Sequence, residues 1–340
     1  MKHTGRVVAF AIVTAAGVYG PAGLQNIVGG AARVAAAAPT GHFKVFRVPT
    51  AGSDPRHVTA GPDGNMWFTE SNLNVGQIGR IDAAGNVTEF VVPTPGSQPD
   101  DIVSGPDGAL WFTGPSGFPD FFIGRITTAG QMTGFTPCDP ANPCSIVPGG
   151  IARGPDGNLW FTEDLNNAVV RLTPAGVFTF FPIPTPAANP SGITPGPDGA
   201  LWFAENGVNQ IGRVDTIGNI VEFGGLTGRP DRITPGPDGS LWFTEPLPAD
   251  SKIGRITVNG LVTEFQAAAQ SQLRDIVTGP DGNLWFTEFS TEFLSQITLA
   301  GVVTEVQKAR GGPFGIGRAP DGALWIALFS GNKLGRFSLR

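Results

Sequence analysis

The sequence predicts an all-β fold, a seven-bladed β-propeller of four-stranded antiparallel blades, and three observations carry that reading. A "PDG" turn followed by a tryptophan recurs seven times, as "GPDGNMWF" from Gly61, "GPDGALWF" from Gly105 and "GPDGNLWF" from Gly154. The later copies start at Gly196, Gly236, Gly279 and Ala319, so successive starts lie 40 to 49 residues apart. Propeller blades repeat at about 40–45 residues. The 7 tryptophans are all used, one per copy. Finally, 49 Gly and 31 Pro sit beside a 41% hydrophobic fraction in 340 residues. That mixture gives many tight turns and a sizeable core, without a long helical pattern.

One unit reads through in full. "RHVTAG" (Arg56–Gly61) is an alternating strand, and "GPDG" suits a type I turn with Pro second and Gly fourth. "NMWFTE" (Asn65–Glu70) is the second strand, "QIGRID" (Gln77–Asp82) the third, and "VTEFVV" (Val87–Val92) the fourth. Met66 and Phe68 face one side, Trp67 and Thr69 the other. Apolar groups on both faces suit a blade packed between two others. The last copy stops after its third strand, "KLGRFSLR" (Lys333–Arg340). "HFKVFRVPT" (His42–Thr50) resembles a fourth strand, so the N-terminal segment is expected to close the last blade. The propeller then spans residues 42–340.

Residues 1–38 read as a signal peptide or an N-terminal anchor: Lys2 and Arg6, then an apolar run, then alanines at 35–38. The expected location is secreted, periplasmic or cell-envelope associated, with membrane contact only through an uncleaved N-terminus. Cys138 and Cys144, in "TPCDPANPCS", are expected to form a disulfide in an oxidising compartment. A net charge of −6 without a Lys/Arg cluster argues against nucleic acid. A monomer is expected.

Hairpin geometry locates the chemistry. Arg56 and Glu70 are equidistant from the turn at Asp63, so they are expected to face each other at the far end, here called the mouth. The equivalent pairs are Asp100/Gly114, Gly149/Glu163, Ser191/Glu205, Asp231/Glu245, Arg274/Glu288 and Phe314/Leu328. The mouth is therefore expected to be acidic, with two arginines and an apolar patch of Phe314, Leu328 and Phe329. Such carboxylates can attract Mg²⁺ or Ca²⁺. The competing reading has each Glu bonded to neighbouring backbone or Arg, as scaffold. The arginines of "IGR" (Arg80, Arg125, Arg213, Arg255, Arg336) are read as scaffold too.

The "GPDGxLWFTE" and "xIGRI" repeats resemble those of the virginiamycin B lyase, or streptogramin lyase, family across essentially the whole mature chain. That resemblance implies a seven-bladed propeller and, for true lyases, Mg²⁺-dependent opening of a cyclic depsipeptide antibiotic by elimination. It also implies a catalytic His at the start of a blade's first strand, with metal-binding Glu residues two before and fourteen after. Here those His positions hold Arg56, Asp100, Gly149, Ser191, Asp231, Arg274 and Phe314. In the first blade Asp54 and Glu70 keep the spacing of a metal pair, and His57 lies one residue past the base position. A one-residue shift on a regular strand turns a side chain to the other face.

Three functions suit these residues. The first is a binding module acting through its mouth on a small molecule, peptide, glycan or protein. The second is a metal-dependent carbon–oxygen lyase centred on Asp54, His57 and Glu70. The third is a structural envelope protein.

Overall fold

The repeated turn does several jobs at once. In the first copy the Gly64 N–H donates to the Gly61 carbonyl at 3.1 Å, and Gly64 takes φ +79°, which favours glycine. The Asp63 carboxylate accepts the Trp67 indole N–H at 2.9 Å. Asp107, Asp156, Asp198, Asp238 and Asp281 hold their own tryptophans likewise, at 3.0–3.1 Å. A buried indole is thereby satisfied by the turn that precedes its strand. The expected scaffold arginines complete the unit. Arg125, Arg213, Arg255 and Arg336 each reach the "PDG" aspartate of their own blade at 2.6 Å. Asp238→Ala is expected to cost about 2–3 kcal/mol in a denaturant titration, because it strands both the Trp242 N–H and Arg255. A loss under about 0.5 kcal/mol would remove this role.

In a computed structural model of the chain these units form seven four-stranded antiparallel sheets. The structure describes residues 39–340 apart from 75, 95, 115–121, 138–145 and 248, and of Phe122 the backbone only. The expected leader (1–38) and the Cys138–Cys144 disulfide lie outside the described residues. Closure is as expected: Gly41–Arg47 pairs antiparallel with Lys333–Leu339, at the outer edge of the seventh blade. In blade order the innermost strands are Pro55–Ala60, Ile102–Ser104, Pro148–Arg153, Pro190–Pro195, Ile233–Pro235, Leu273–Thr278 and Pro313–Arg318. Each contacts the innermost strand of the next blade, and the seventh contacts the first, which closes the ring round a central axis.

The core lies between blades. Trp67, Phe68 and their equivalents are almost fully buried, on both sheet faces, as the pattern of apolar residues requires. A fourth-strand phenylalanine stacks on the tryptophan of its own blade, as with Phe90 on Trp67 at 5.6 Å and Phe223 on Trp202 at 5.3 Å. The same ring abuts a turn glycine of the next blade. A Cβ on Gly130 would lie 2.3 Å from Phe90, and one on Gly260 would lie 2.5 Å from Phe223. Aromatic and glycine thus interlock neighbouring blades.

Candidate functional site

In four blades the mouth residues are tied to the threonine of "WFT". His57, Asp101, Arg232 and Asp275 each donate a backbone N–H to Thr69, Thr113, Thr244 and Thr287 of their own blade, at 3.0–3.1 Å. The threonine hydroxyl then donates to the next blade, as Thr69 to the Asp100 carbonyl (2.7 Å) and Thr113 to the Gly149 carbonyl (2.9 Å). The start of the inner strand is bulged, with this threonine and also where Ala204 or Ala327 replaces it. Glu70 pairs with Pro55 rather than Arg56, and the register shifts between Pro55 and Val58. The same offset occurs at Pro148/Glu163, Pro190/Glu205, Leu273/Glu288 and Pro313/Leu328. A bulge breaks strict alternation of faces. His57 is therefore not turned away from Arg56: both approach the Asp100 carboxylate, at 3.4 and 3.1 Å.

The glutamates do not ring the mouth as expected. Glu70, Glu163, Glu205, Glu245 and Glu288 are fully buried inside their blades. The local sequence explains each. Where the third strand has Gly and the fourth has Glu, the two acids meet across the glycine: Glu70 with Glu89, Glu205 with Glu222, Glu245 with Glu264. A Cβ on Gly212 would sit 2.6 Å from a Glu205 oxygen. Burial, and next the facing carboxylate, push the Glu205 and Glu245 carboxyls up to about 8. Glu70 is likewise pushed up to about 8 by burial, with Glu89 adding and Ser53 opposing. Two acceptors cannot bond until one carries a proton, which is why these oxygens lack hydrogen-bond partners in the deprotonated geometry. Glu89 and Glu264 are held by the Thr50 and Thr227 N–H and hydroxyl groups, so the second-strand acid is the proton's place. In the other two blades the pattern breaks. Glu163 accepts the N–H groups of Val147, Leu165 and Asn166, while Glu288 accepts Ser295 and Thr291 hydroxyls. The scaffold reading thus covers the glutamates, though their partners lie largely within the blade.

The mouth itself is built by residues at or just before the start of the inner strands. Arg56, Asp100, Asp231, Arg274 and Phe314 are there as expected, all partly exposed. The residue after each was missed: Asp101, Arg232 and Asp275 line the axis beside His57. Arg232, in blade 5, reaches Asp101 in blade 2 at 3.0 Å, across the ring. Burial opposes the Arg232 charge, but Asp101, Asp100, Asp231 and Asp275 hold its pKa above the ordinary value. Burial likewise pushes Asp100 up, and the hydrogen bond and charge of His57, then Arg56 and Arg232, outweigh it and keep the carboxyl well below the usual range. Asp275 goes the other way, raised by burial despite His57 and Arg232, and its carboxylate caps the Ile316 N–H at 2.9 Å. The signal for this layer was in the sequence, as a second charged residue in "RH", "DD", "DR" and "RD".

His57 is almost completely buried. Its Nδ1 lies 2.9 Å from the Asp100 carbonyl oxygen, an acceptor only, so Nδ1 carries the hydrogen. Nε2 is buried and has no hydrogen-bond partner. Above it, Phe289, Phe314 and Phe329 form an aromatic wall with ring centres 5.7–6.3 Å apart. Leu328, expected in that patch, is instead fully buried, and Phe289 takes its place.

The sequence matches the virginiamycin B lyase family over residues 26–265 and 225–340. The chain belongs to that family. As a family member it is similar to a streptogramin B lyase of known structure, at 31% identity over 88% of this chain and 98% of that one, with TM-score 0.78. It is similar to the virginiamycin B lyase of Staphylococcus aureus at 32% identity over 88% and 100% of the two chains, TM-score 0.79. A catalytically inactive histidine-to-alanine variant of that enzyme, with quinupristin, aligns at 32% identity over 88% and 100%, TM-score 0.77. No curated protein sequence matches the chain.

The Mg²⁺ that membership suggests would call on Asp54 and Glu70. Asp54 faces a rim cleft of about 260 Å³ shared with Arg56, Asn72, Gln98 and Phe329, and its carboxylate accepts the Asn72 amide at 3.2 Å. Glu70 turns into the blade against Glu89. Among the described residues no three His, Cys, Asp or Glu side chains gather as a metal-binding group. These residues do not fit the ion, and the metal pair expected with His57 does not assemble.

Proposed function

We propose that this propeller is a binding module whose mouth takes an organic ligand against Phe289, Phe314 and Phe329. The observation that carries the reading is an aromatic wall flanked by arginines at the end of the axis, where Arg56 and Arg274 lie over the Phe314 ring. Aromatic walls with a few placed polar groups are the make-up of small-molecule and peptide sites. The Arg232–Asp101 bridge crosses the axis beneath it and gives the mouth a floor. A saturation-transfer NMR screen of aromatic amino-acid derivatives, short peptides and oligosaccharides tests the reading. Binders are expected to lose their signal when Phe289 and Phe314 are both replaced by Ala. Binders that keep full signal in that variant would put the site elsewhere.

A second reading, elimination of the lyase type, has one observation in its favour. With hydrogen on Nδ1 held by the Asp100 carbonyl, a neutral His57 would present Nε2 as an oriented base. Incubation with quinupristin and mass spectrometry tests it. A linear product that disappears in His57→Gln supports this reading; unchanged cyclic antibiotic removes it. An exported or envelope setting agrees with the apolar run before the propeller, and cell fractionation tests that placement.

A further inference from the structure

The unfilled donors of the mouth include those of two arginines. Arg56 and Arg274 occupy equivalent positions in blades 1 and 6, on either side of Phe314 in blade 7. Their guanidinium carbons lie 5.1 and 5.0 Å from the centre of that one ring. Two like charges beside one ring repel each other. Burial, and then the charges of Arg56 and Arg232, keep Arg274 below its ordinary pKa even with Asp231 opposing. Asp100 neutralises Arg56 through one Nη at 3.1 Å. Arg274 has no ion pair within 4.0 Å among the described residues. Both arginines also keep a buried Nε–H without an acceptor.

The chemistry of the missing acceptor follows from these groups. A guanidinium presents Nε–H and Nη–H as a planar fork, which matches the two oxygens of a carboxylate. Asp100, Asp101, Asp231 and Asp275 surround the same mouth and outnumber Arg56, Arg232 and Arg274. A dianion such as phosphate is repelled by that excess, whereas a single carboxylate is tolerated. Aromatic faces beside the fork suit an apolar body.

We propose that Arg56 and Arg274 clamp the carboxylate of a ligand whose aromatic or apolar body rests on Phe289, Phe314 and Phe329. The proposal rests on the mouth being a binding site. Calorimetric titration of the protein with N-acetyl-phenylalanine and with its neutral amide tests it. The acid is expected to bind about 10- to 100-fold more tightly, the worth of one or two hydrogen bonds to a charged group. Arg274→Gln is expected to bring that ratio below about 3-fold while leaving amide binding in place. Arg274→Lys keeps the charge without the fork and is expected to recover only part of the preference. Equal affinity for acid and amide overturns the clamp and leaves the mouth reading standing. If neither probe binds, the clamp falls, and the NMR screen judges the mouth separately. Inorganic phosphate competing as well as the acid overturns the choice of a carboxylate.

Discussion

Raising the pH from 5 to 9 is expected to lower the stability of this propeller by on the order of 10 kcal/mol, through three buried carboxyls. Glu70, Glu205 and Glu245 have folded pKa values pushed from 4.5 to about 8, by burial first and the facing Glu89, Glu222 and Glu264 next. A group whose folded pKa is raised holds its proton more tightly in the native state. Its contribution is complete below the unfolded value of 4.5 and is lost as the pH climbs through about 8. Each group is worth of order 3–5 kcal/mol across that window. The "PDG" aspartates act in the opposite sense. Burial raises Asp107, Asp198 and Asp238, but bonds from tryptophan and arginine outweigh it and lower their pKa. Their support is present above 3.8 and fades as the pH falls through the lowered values. Guanidinium titrations at pH 5, 7 and 9 are expected to show a maximum near 5. Glu205→Gln supplies a neutral donor to Glu222, so it is expected to gain about 2–4 kcal/mol at pH 9 and nothing at pH 4.5. A flat profile between pH 5 and 9 would remove the shared-proton account.

Gly301→Ala is expected to be far more damaging than Gly64→Ala, although the two glycines have nearly the same backbone. Their φ values are +86° and +79°. A Cβ on Gly64 meets nothing within 4 Å, so that change isolates the backbone cost, about 1–2 kcal/mol. A Cβ on Gly301 would lie 2.2 Å from the Phe265 ring, which itself stacks on Trp242 at 5.6 Å. Overpacking adds about 1–3 kcal/mol to the same backbone term. Phe265→Leu shortens the intruding side chain, so in that background the extra cost of Gly301→Ala is expected to shrink. Equal losses for the two single variants, read from denaturant midpoints, would show that the blades are not locked by ring and glycine.

The fold was legible because each repeat states its own structure. The turn glycine and proline, the tryptophan and the alternating apolar residues are all local requirements, and seven repetitions make a ring. The N-terminal closure was legible for the same reason, since "FKVFRV" has the pattern of a fourth strand whose blade lacks one. The chemical site was legible only in part. Arg56, Asp100, Asp231, Arg274 and Phe314 follow from position in the repeat. The direction of the glutamates does not, because it depends on the third-strand residue beside them and on an acid two strands away.

By itself the sequence determined the propeller, the family and the absence of histidine at every position where the resemblance places the lyase base. Local turn chemistry and periodic packing are written into contiguous residues, so they need no tertiary context. Only the tertiary structure decided which charges meet. The bulge at the start of the first inner strand brings His57 and Arg56 together on Asp100, and the second-strand glutamates turn out of solvent into their blades. Ring closure then sets Arg232 against Asp101 and Arg274 beside Phe314, pairs that are distant in the chain and adjacent only round the axis.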